Sequence, residues 1–325
     1  MSVTVVVPTL GRPSLRTLLG ALAPGIARHG FELIVVDDRP AAVPPLEVDG
    51  TVLPGPARGP AAARNVGWRA AKHDWVAFLD DDVLPGPDWA DRLLDDLAEA
   101  GERVGGVQGR LRVPLPGGRR PTDWERVTAG LADGAWITAD MAYRRDALAG
   151  CGGFDERLPR AFREDADLAF RVRRDGWRLV RGRRQVTHPV RPESPWVSVR
   201  TQRGNADDAL LRRVHGPRWR ELLEVPPGRR PRHVTITAAG VAALALAATR
   251  RPGWATAAGL IWAAGTAEFA AARIAPGPRD PREVGTMLVT SAIIPAAATL
   301  HWLRGWWRWR AAQPVRTVPA EVDRR

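Results

Sequence analysis

The sequence predicts an α/β fold, a largely parallel sheet with helices on both faces, and three observations predict it. Apolar, mostly β-branched runs recur at residues 3–7, 31–36 and 75–79. Continuous apolarity of this kind marks strands buried on both faces. Segments with helical spacing separate the runs, and each run ends in polar residues: Pro8-Thr9, Asp37-Asp38 and Asp80-Asp81-Asp82.

Residues 1–8 lack a basic leader and stop at Pro8, so they read as a buried strand rather than a signal peptide. The α/β part is therefore expected to stay in the cytoplasm. Residues 14–28 follow as a helix with Leu15, Leu18, Leu19 and Leu22 on one face. A second strand at 31–36, a helix over 58–72 and a third strand at 75–79 come next. Residues 89–100 are helical and 104–113 strand-like, which completes a βαβαβ rhythm. In such sheets ligands gather beyond the carboxyl ends of the strands. The three polar run-ends therefore converge on one rim.

With 325 residues, 45% hydrophobic and 26% charged, the chain can bury a large core. That composition excludes collagen-like and disordered classes, and a single cysteine, Cys151, excludes a disulfide-stapled one. The net charge is +12, almost all of it from arginine, since Lys72 is the one lysine. This bias fits codon usage in a GC-rich genome. The charge is unevenly placed: residues 1–200 hold 29 Lys/Arg against 27 Asp/Glu, and residues 201–325 hold 19 against 9. A basic tail suits nucleic acid or an anionic membrane surface.

The tail is apolar as well as basic. Runs at 234–249, 254–275 and 284–303 approach the about 20 residues needed to span a bilayer. The middle run contains Glu268 and Arg273, the latter expected to snorkel. Arg229, Arg230 and Arg232 precede the runs, and Trp302, Trp306, Trp307 and Trp309 with Arg304, Arg308 and Arg310 close them, as interfacial anchors do. The chain is thus expected to divide into an α/β domain over 1–225 and a membrane-associated helical region over 226–325. Two or three spans remain open, as do buried helices of a small soluble domain.

The chemistry lies on the rim. Asp80 and Asp82 are alternate residues and share a face, so together they can hold a divalent cation that grips a diphosphate. An acidic triplet after a strand also occurs as a solvated cap. Other polar motifs accompany it: Arg64-Asn65 in the small-residue segment 59–68, Gly152-Gly153-Phe154-Asp155, and Glu164-Asp165-Ala166-Asp167 opening a helix. Acids in a first turn complement the helix dipole, which accounts for one or two of the three.

In this order, over about residues 1–210, the motifs resemble inverting glycosyltransferases of family 2, which have the GT-A fold. The resemblance implies a Rossmann-like αβα catalytic domain. It implies that Pro8, Thr9, Arg12, Asp37, Asp38, Arg64, Asp80 and Asp81 line a nucleotide-sugar site, with Asp38 on the base and Asp80 near the ribose. Asp82, with Asp80, would hold Mg²⁺ or Mn²⁺. Asp165 would be the general base, with Glu164 shaping its site. His188 is a further metal-ligand candidate or an ordinary surface histidine, and Asp140 is a candidate acceptor contact or a satisfied buried group.

Two departures stand out. Arg39-Pro40 replaces the usual Gly-Ser after Asp38, and no Gln-x-x-Arg-Trp motif is present near Gln202, which argues for single addition over polymerisation. The expected partners are a UDP, GDP or dTDP sugar, a glycan or lipid-linked acceptor and the cytoplasmic face of the cell membrane, with no nucleic acid. Two other functions fit parts of the pattern. A sugar nucleotidyltransferase would want a glycine-rich basic loop, of which Leu10-Gly11-Arg12-Pro13 is a poor version. A non-enzymatic adaptor could stack the tryptophans and arginines of 306–310 on bases.

Overall fold

The computed structural model describes residues 1–314; the end of the expected tail, 315–325, lies outside the described residues. The first half of the α/β body runs β1 (Val3–Thr9), α1 (Pro13–His29), β2 (Glu32–Asp37), β3 (Thr51–Pro54), α2 (Pro60–Ala70), β4 (Trp75–Leu79), β5 (Leu84–Pro85) and α3 (Trp89–Ala98). It continues with β6 (Val104–Arg112), α4 (Asp123–Ala129), β7 (Asp140–Arg144), α5 (Arg145–Cys151), α6 (Glu164–Arg174) and β8 (Arg178–Thr187). Short helices α7 (Val197–Arg200), α8 (Asn205–His215) and α9 (Trp219–Leu222) lead to α10 (Arg230–Ala248), α11 (Pro252–Ile274) and α12 (Pro281–Arg308).

The eight strands form one mixed sheet in the order β3-β2-β1-β4-β7-β6-β8-β5. Strands β3, β2, β1 and β4 are parallel, so their carboxyl ends share one rim; Thr9 pairs opposite Asp37. Strand β7 enters antiparallel between β4 and β6.

Alternation across the sheet explains the continuous apolar runs. Val3, Val5, Val7, Val35 and Ala77 pack on one face with Leu18 of α1 and Leu93 of α3. Val6, Ile34, Val36, Val76 and Phe78 pack on the other with Trp68 of α2 and Leu168 of α6. Both faces are dry, so both sets of positions must be apolar. Pro13 opens α1 with a φ suited to a first turn, and Gly30 closes it in the left-handed region.

Of the last three helices, α10 and α12 are long and apolar enough to cross a membrane. Helix α11, carrying Glu268 among glycines, threonines and tryptophans, is not one of them. The snorkelling expected of Arg273 does not occur. Its guanidinium is buried, pairs with Asp123 of α4 at 2.7 Å, and donates to Thr290 and Ser291 of α12 at 2.8 and 3.0 Å.

Candidate active site

The parallel strands bring the rim residues together, but their side chains are not equally free. Asp81 is buried and accepts from Thr9 Oγ1 at 2.6 Å and Arg12 Nη1 at 2.7 Å. It ties the loop after β4 to the loop after β1 and has neither oxygen left for a ligand. Asp37 is likewise engaged by Arg39, through Nε at 2.8 Å and Nη2 at 2.7 Å, and that hydrogen bonding holds its carboxyl below the usual range. Asp38 accepts the backbone N–H groups of Ala57 at 2.7 Å and Gly59 at 2.9 Å. Pro8 lies buried in β1 opposite Val36, behind the rim.

Asp80 and Asp82 keep more chemistry in reserve. The Asp80 side chain is 27% exposed, with Oδ1 accepting from Arg64 Nη2 at 2.6 Å. Asp82 is nearly buried, 3.0 Å from Arg191 Nε and 3.7 Å from His188 Nε2. Burial first, and the charge of Asp80 second, push the Asp82 carboxyl above its ordinary range, while His188 and Arg191 pull it back. Leu84 of β5 pairs with Thr187 of β8, which delivers His188 to the loop carrying Asp82. Among the described residues no three His, Cys, Asp or Glu side chains converge as a ready-made metal cage. Two carboxylates and an imidazole nevertheless have suitable donor chemistry for Mg²⁺ or Mn²⁺. Such ions commonly take only one or two protein carboxylates beside substrate phosphates and water.

The opposite wall is α6. Its N-cap residue, Arg163, sits in the left-handed region at φ 74°. Glu164 is buried, accepts from Arg64 Nη1 at 2.9 Å, and has no partner on Oε2. Burial, reinforced by the charge of Asp165, pushes its carboxyl up to about 8 against the pull of Arg64. Asp165 is half-buried, and its Oδ1 accepts the Ala166 N–H at 2.7 Å. Its carboxyl is raised too, chiefly by burial. The third acid of the turn belongs elsewhere: Asp167 is buried against Arg171 and His215, each at 2.7 Å.

Three of the expected site residues have partners within the fold. Arg64, expected at the nucleotide, is turned inward, with one Nη on Asp80 and the other on Glu164. Asp140, read either as an acceptor contact or as a satisfied buried group, is the latter: it is fully buried beneath the rim and accepts from Arg184 Nε at 2.8 Å and Trp89 Nε1 at 3.1 Å. Asp81 is the internal tie already described. Asn65, noted only as part of a motif, accepts the Phe154 N–H at 2.9 Å and the Trp68 Nε1–H at 2.8 Å, and donates to the Phe154 carbonyl at 2.9 Å. It pins the 152–155 turn, where Gly153 at φ 73° leaves no room for a Cβ: one would fall 2.5 Å from Asn65 Oδ1. Arg191 and Arg184 carried no sequence signal, because arginines are scattered through that stretch.

Residues 4–127 match the family model Glycosyl transferase family 2. The mixed α/β sheet described above agrees with the GT-A arrangement expected from the order of the motifs. A pre-mycofactocin glycosyltransferase of Mycobacterium tuberculosis is 35% identical over 201 residues, covering 54% of this chain and 40% of the relative. The succinoglycan biosynthesis protein ExoO of Rhizobium meliloti is 34% identical over 102 residues, covering 28% and 29% of the two chains. The chain thus spans less than half the length of either relative.

Among solved structures, glucosyl-3-phosphoglycerate synthase from Mycobacterium tuberculosis, with Mn²⁺, uridine diphosphate and phosphoglyceric acid, is similar at a TM-score of 0.46 and 18% identity. That match covers 70% of this chain and 80% of the other. Residues 1–349 of S. aureus TarS, with UDP-GlcNAc, are similar at a TM-score of 0.42 and 16% identity, covering 97% and 93%.

Proposed function

We propose that this chain transfers a sugar from a nucleotide-sugar donor to a hydroxyl acceptor, with inversion at the anomeric carbon and the help of Mg²⁺ or Mn²⁺. The arrangement of Arg64 carries the reading. One buried guanidinium holds Asp80 on the donor side and Glu164, next to Asp165, on the other. Carboxylates suited to a diphosphate and the acid beside a carboxylate suited to a proton thereby meet on the two arms of one guanidinium.

Asp165 accepts the acceptor hydroxyl proton as the oxygen attacks the sugar carbon. Its raised affinity for protons suits a general base better than an ordinary surface carboxylate would. Glu164 stays largely protonated at neutral pH, so it does not add a second full charge beside the base. Asp82, His188 and the free oxygen of Asp80 would hold the cation, which when bound supplies neutralising charge at the leaving diphosphate.

The acceptor we favour is lipid-linked, because the apolar C-terminal helices and the +10 balance of residues 201–325 suit a cytoplasmic membrane surface. The test is turnover of UDP, GDP and dTDP sugars with and without Mn²⁺, against lipid-linked and soluble acceptors, pre-mycofactocin included. Asp82→Ala is expected to abolish the Mn²⁺ response, and Asp165→Asn to lower kcat by about 10²- to 10⁴-fold without unfolding. Undiminished transfer by both variants would sink the mechanism. Pyrophosphate release from a nucleoside triphosphate would point to nucleotidyl transfer instead.

A further inference from the structure

Helix α12 is long and apolar enough to cross a membrane, yet it is fastened to the α/β body at both ends. Near its start, Glu283 accepts the Asp123 N–H at 2.9 Å, and Thr290 and Ser291 hold the Arg273 that pairs with Asp123. Near its end, Gly305 lies against Ala206 of α8, so closely that a Cβ would fall 2.6 Å from its backbone. Arg213 of α8 stacks 3.5 Å over Trp306. From Glu283 to Gly305 the helix rises about 33 Å, the thickness of a bilayer's hydrocarbon core. Between these points Met287, Thr290, Ile294 and Ala298 bury one continuous face. If α12 spanned, α4 and α8 would have to enter hydrocarbon with their charged partners.

Helices α10 and α11 are placed differently. They pack antiparallel around the turn at Thr249-Arg250-Arg251, with Ile236 against Gly265 and Gly240 against Trp262. Their buried residues, His233, Ile236, Phe269, Ala270 and Arg273, all lie at the end beside α12. Toward the tip, Val241, Leu244, Trp254, Leu260 and Ile261 are between 56% and 75% exposed. Only 6% of the best apolar window of α10 is buried, against 33% for α12. A helix apolar on all sides has no water-facing surface to offer. No Asp, Glu, Lys or Arg stands between Arg232 and Arg250, a rise of about 25 Å.

We infer that the α10–α11 hairpin enters the bilayer tip first, far enough to set Arg250 and Arg251 among the opposite headgroups, while α12 lies along the membrane surface, seated on the α/β body. This rests on the membrane reading proposed above and not on the transfer chemistry. The occupant is anionic lipid rather than a second copy of the chain. Arg229, Arg230 and Arg232 ring the hairpin base, and Arg304, Arg308 and Arg310 end α12, so a copy would meet like charge where headgroups meet opposite charge. Leu300, Leu303 and Trp307 of α12 are exposed and would sit at the interface. Hydropathy alone pairs α10 with α12 as spans; the packing replaces α12 with α11.

The test uses the full chain with phosphatidylcholine–phosphatidylglycerol vesicles. Single variants Leu244→Cys, Ile293→Cys and Leu303→Cys carry a polarity-sensitive fluorophore, Cys151 being buried. Quenchers are placed either near the headgroups or at the chain ends. The label at 244 should respond to the deep quencher, and those at 293 and 303 to the shallow one. Deep quenching at 293 would overturn the inference in favour of a spanning α12, leaving membrane binding intact. No vesicle binding would overturn both the inference and the membrane reading; a lipid-free dimer shielding 244 would replace lipid with a second copy. The variant Leu244→Glu/Ile261→Glu, altered at exposed positions, should lose about 100-fold or more in vesicle binding while donor hydrolysis and the melting temperature stay unchanged.

Discussion

Arg64 donates to Asp80 and Glu164 with opposite arms of one guanidinium, joining residues 16 and 100 positions away. Lysine would keep the charge but lose the fork. Arg64→Lys should therefore lower kcat by about 10²-fold through misplacement, with donor KM changing little, as steady-state kinetics would show. Glu164 gives a stability prediction whose sign follows from its direction of shift. Its carboxyl rises from an ordinary 4.5 to about 8 on folding, so the protonated form is favoured in the fold. Its contribution is complete below about pH 4.5 and is lost as pH rises through about 8. Glu164→Gln should flatten the pH dependence of the melting temperature across that window; parallel melting curves for variant and wild type would refute it. That an acidic cluster opens α6 was legible in the sequence, but which acid is solvated was not. Asp167 finds Arg171 one turn on and His215 from another helix, and no local pattern shows that.

At the scale of elements, the runs at 3–7, 31–36 and 75–79 became β1, β2 and β4, because burial on both faces leaves an unmistakable pattern. Strand β8 was missed. Its arginines at 178, 181, 183 and 184 interrupt any apolar alternation, yet Arg184 is fully buried between Asp96 and Asp140. The α2–turn junction depends on Asn65, whose carboxamide satisfies three buried groups. Asn65→Ala should cost about 1–3 kcal/mol by leaving them unpaired, measured by urea unfolding, with activity falling as the 152–155 turn loosens.

Across the whole molecule, the Asp123–Arg273 pair joins the α/β body to the C-terminal helices. Removing the carboxylate strands a buried guanidinium, so Asp123→Ala should destabilise by about 3–5 kcal/mol. The double variant Asp123→Ala/Arg273→Met should recover much of that, and a double-mutant cycle measures the coupling. Composition located the basic, apolar tail correctly, but it read Arg273 as a snorkelling residue. Charge in a sequence has no partner until the fold supplies one.

By itself, then, the sequence determined the α/β class, the rim on which Pro8-Thr9, Asp37-Asp38 and Asp80-Asp82 converge, and the order of motifs that resembles family 2. These follow from apolar periodicity and from short segments, where neighbours along the chain are also neighbours in space. The tertiary structure alone decided which carboxylates keep a free oxygen, since both oxygens of Asp37, Asp81 and Asp140 accept hydrogen bonds within the fold, whereas Asp80 engages Arg64 through one. It likewise decided that α12 lies against the body while the α10–α11 hairpin projects away. A side chain's availability, like a helix's, is set by what the fold packs against it, and most of those partners are distant in sequence.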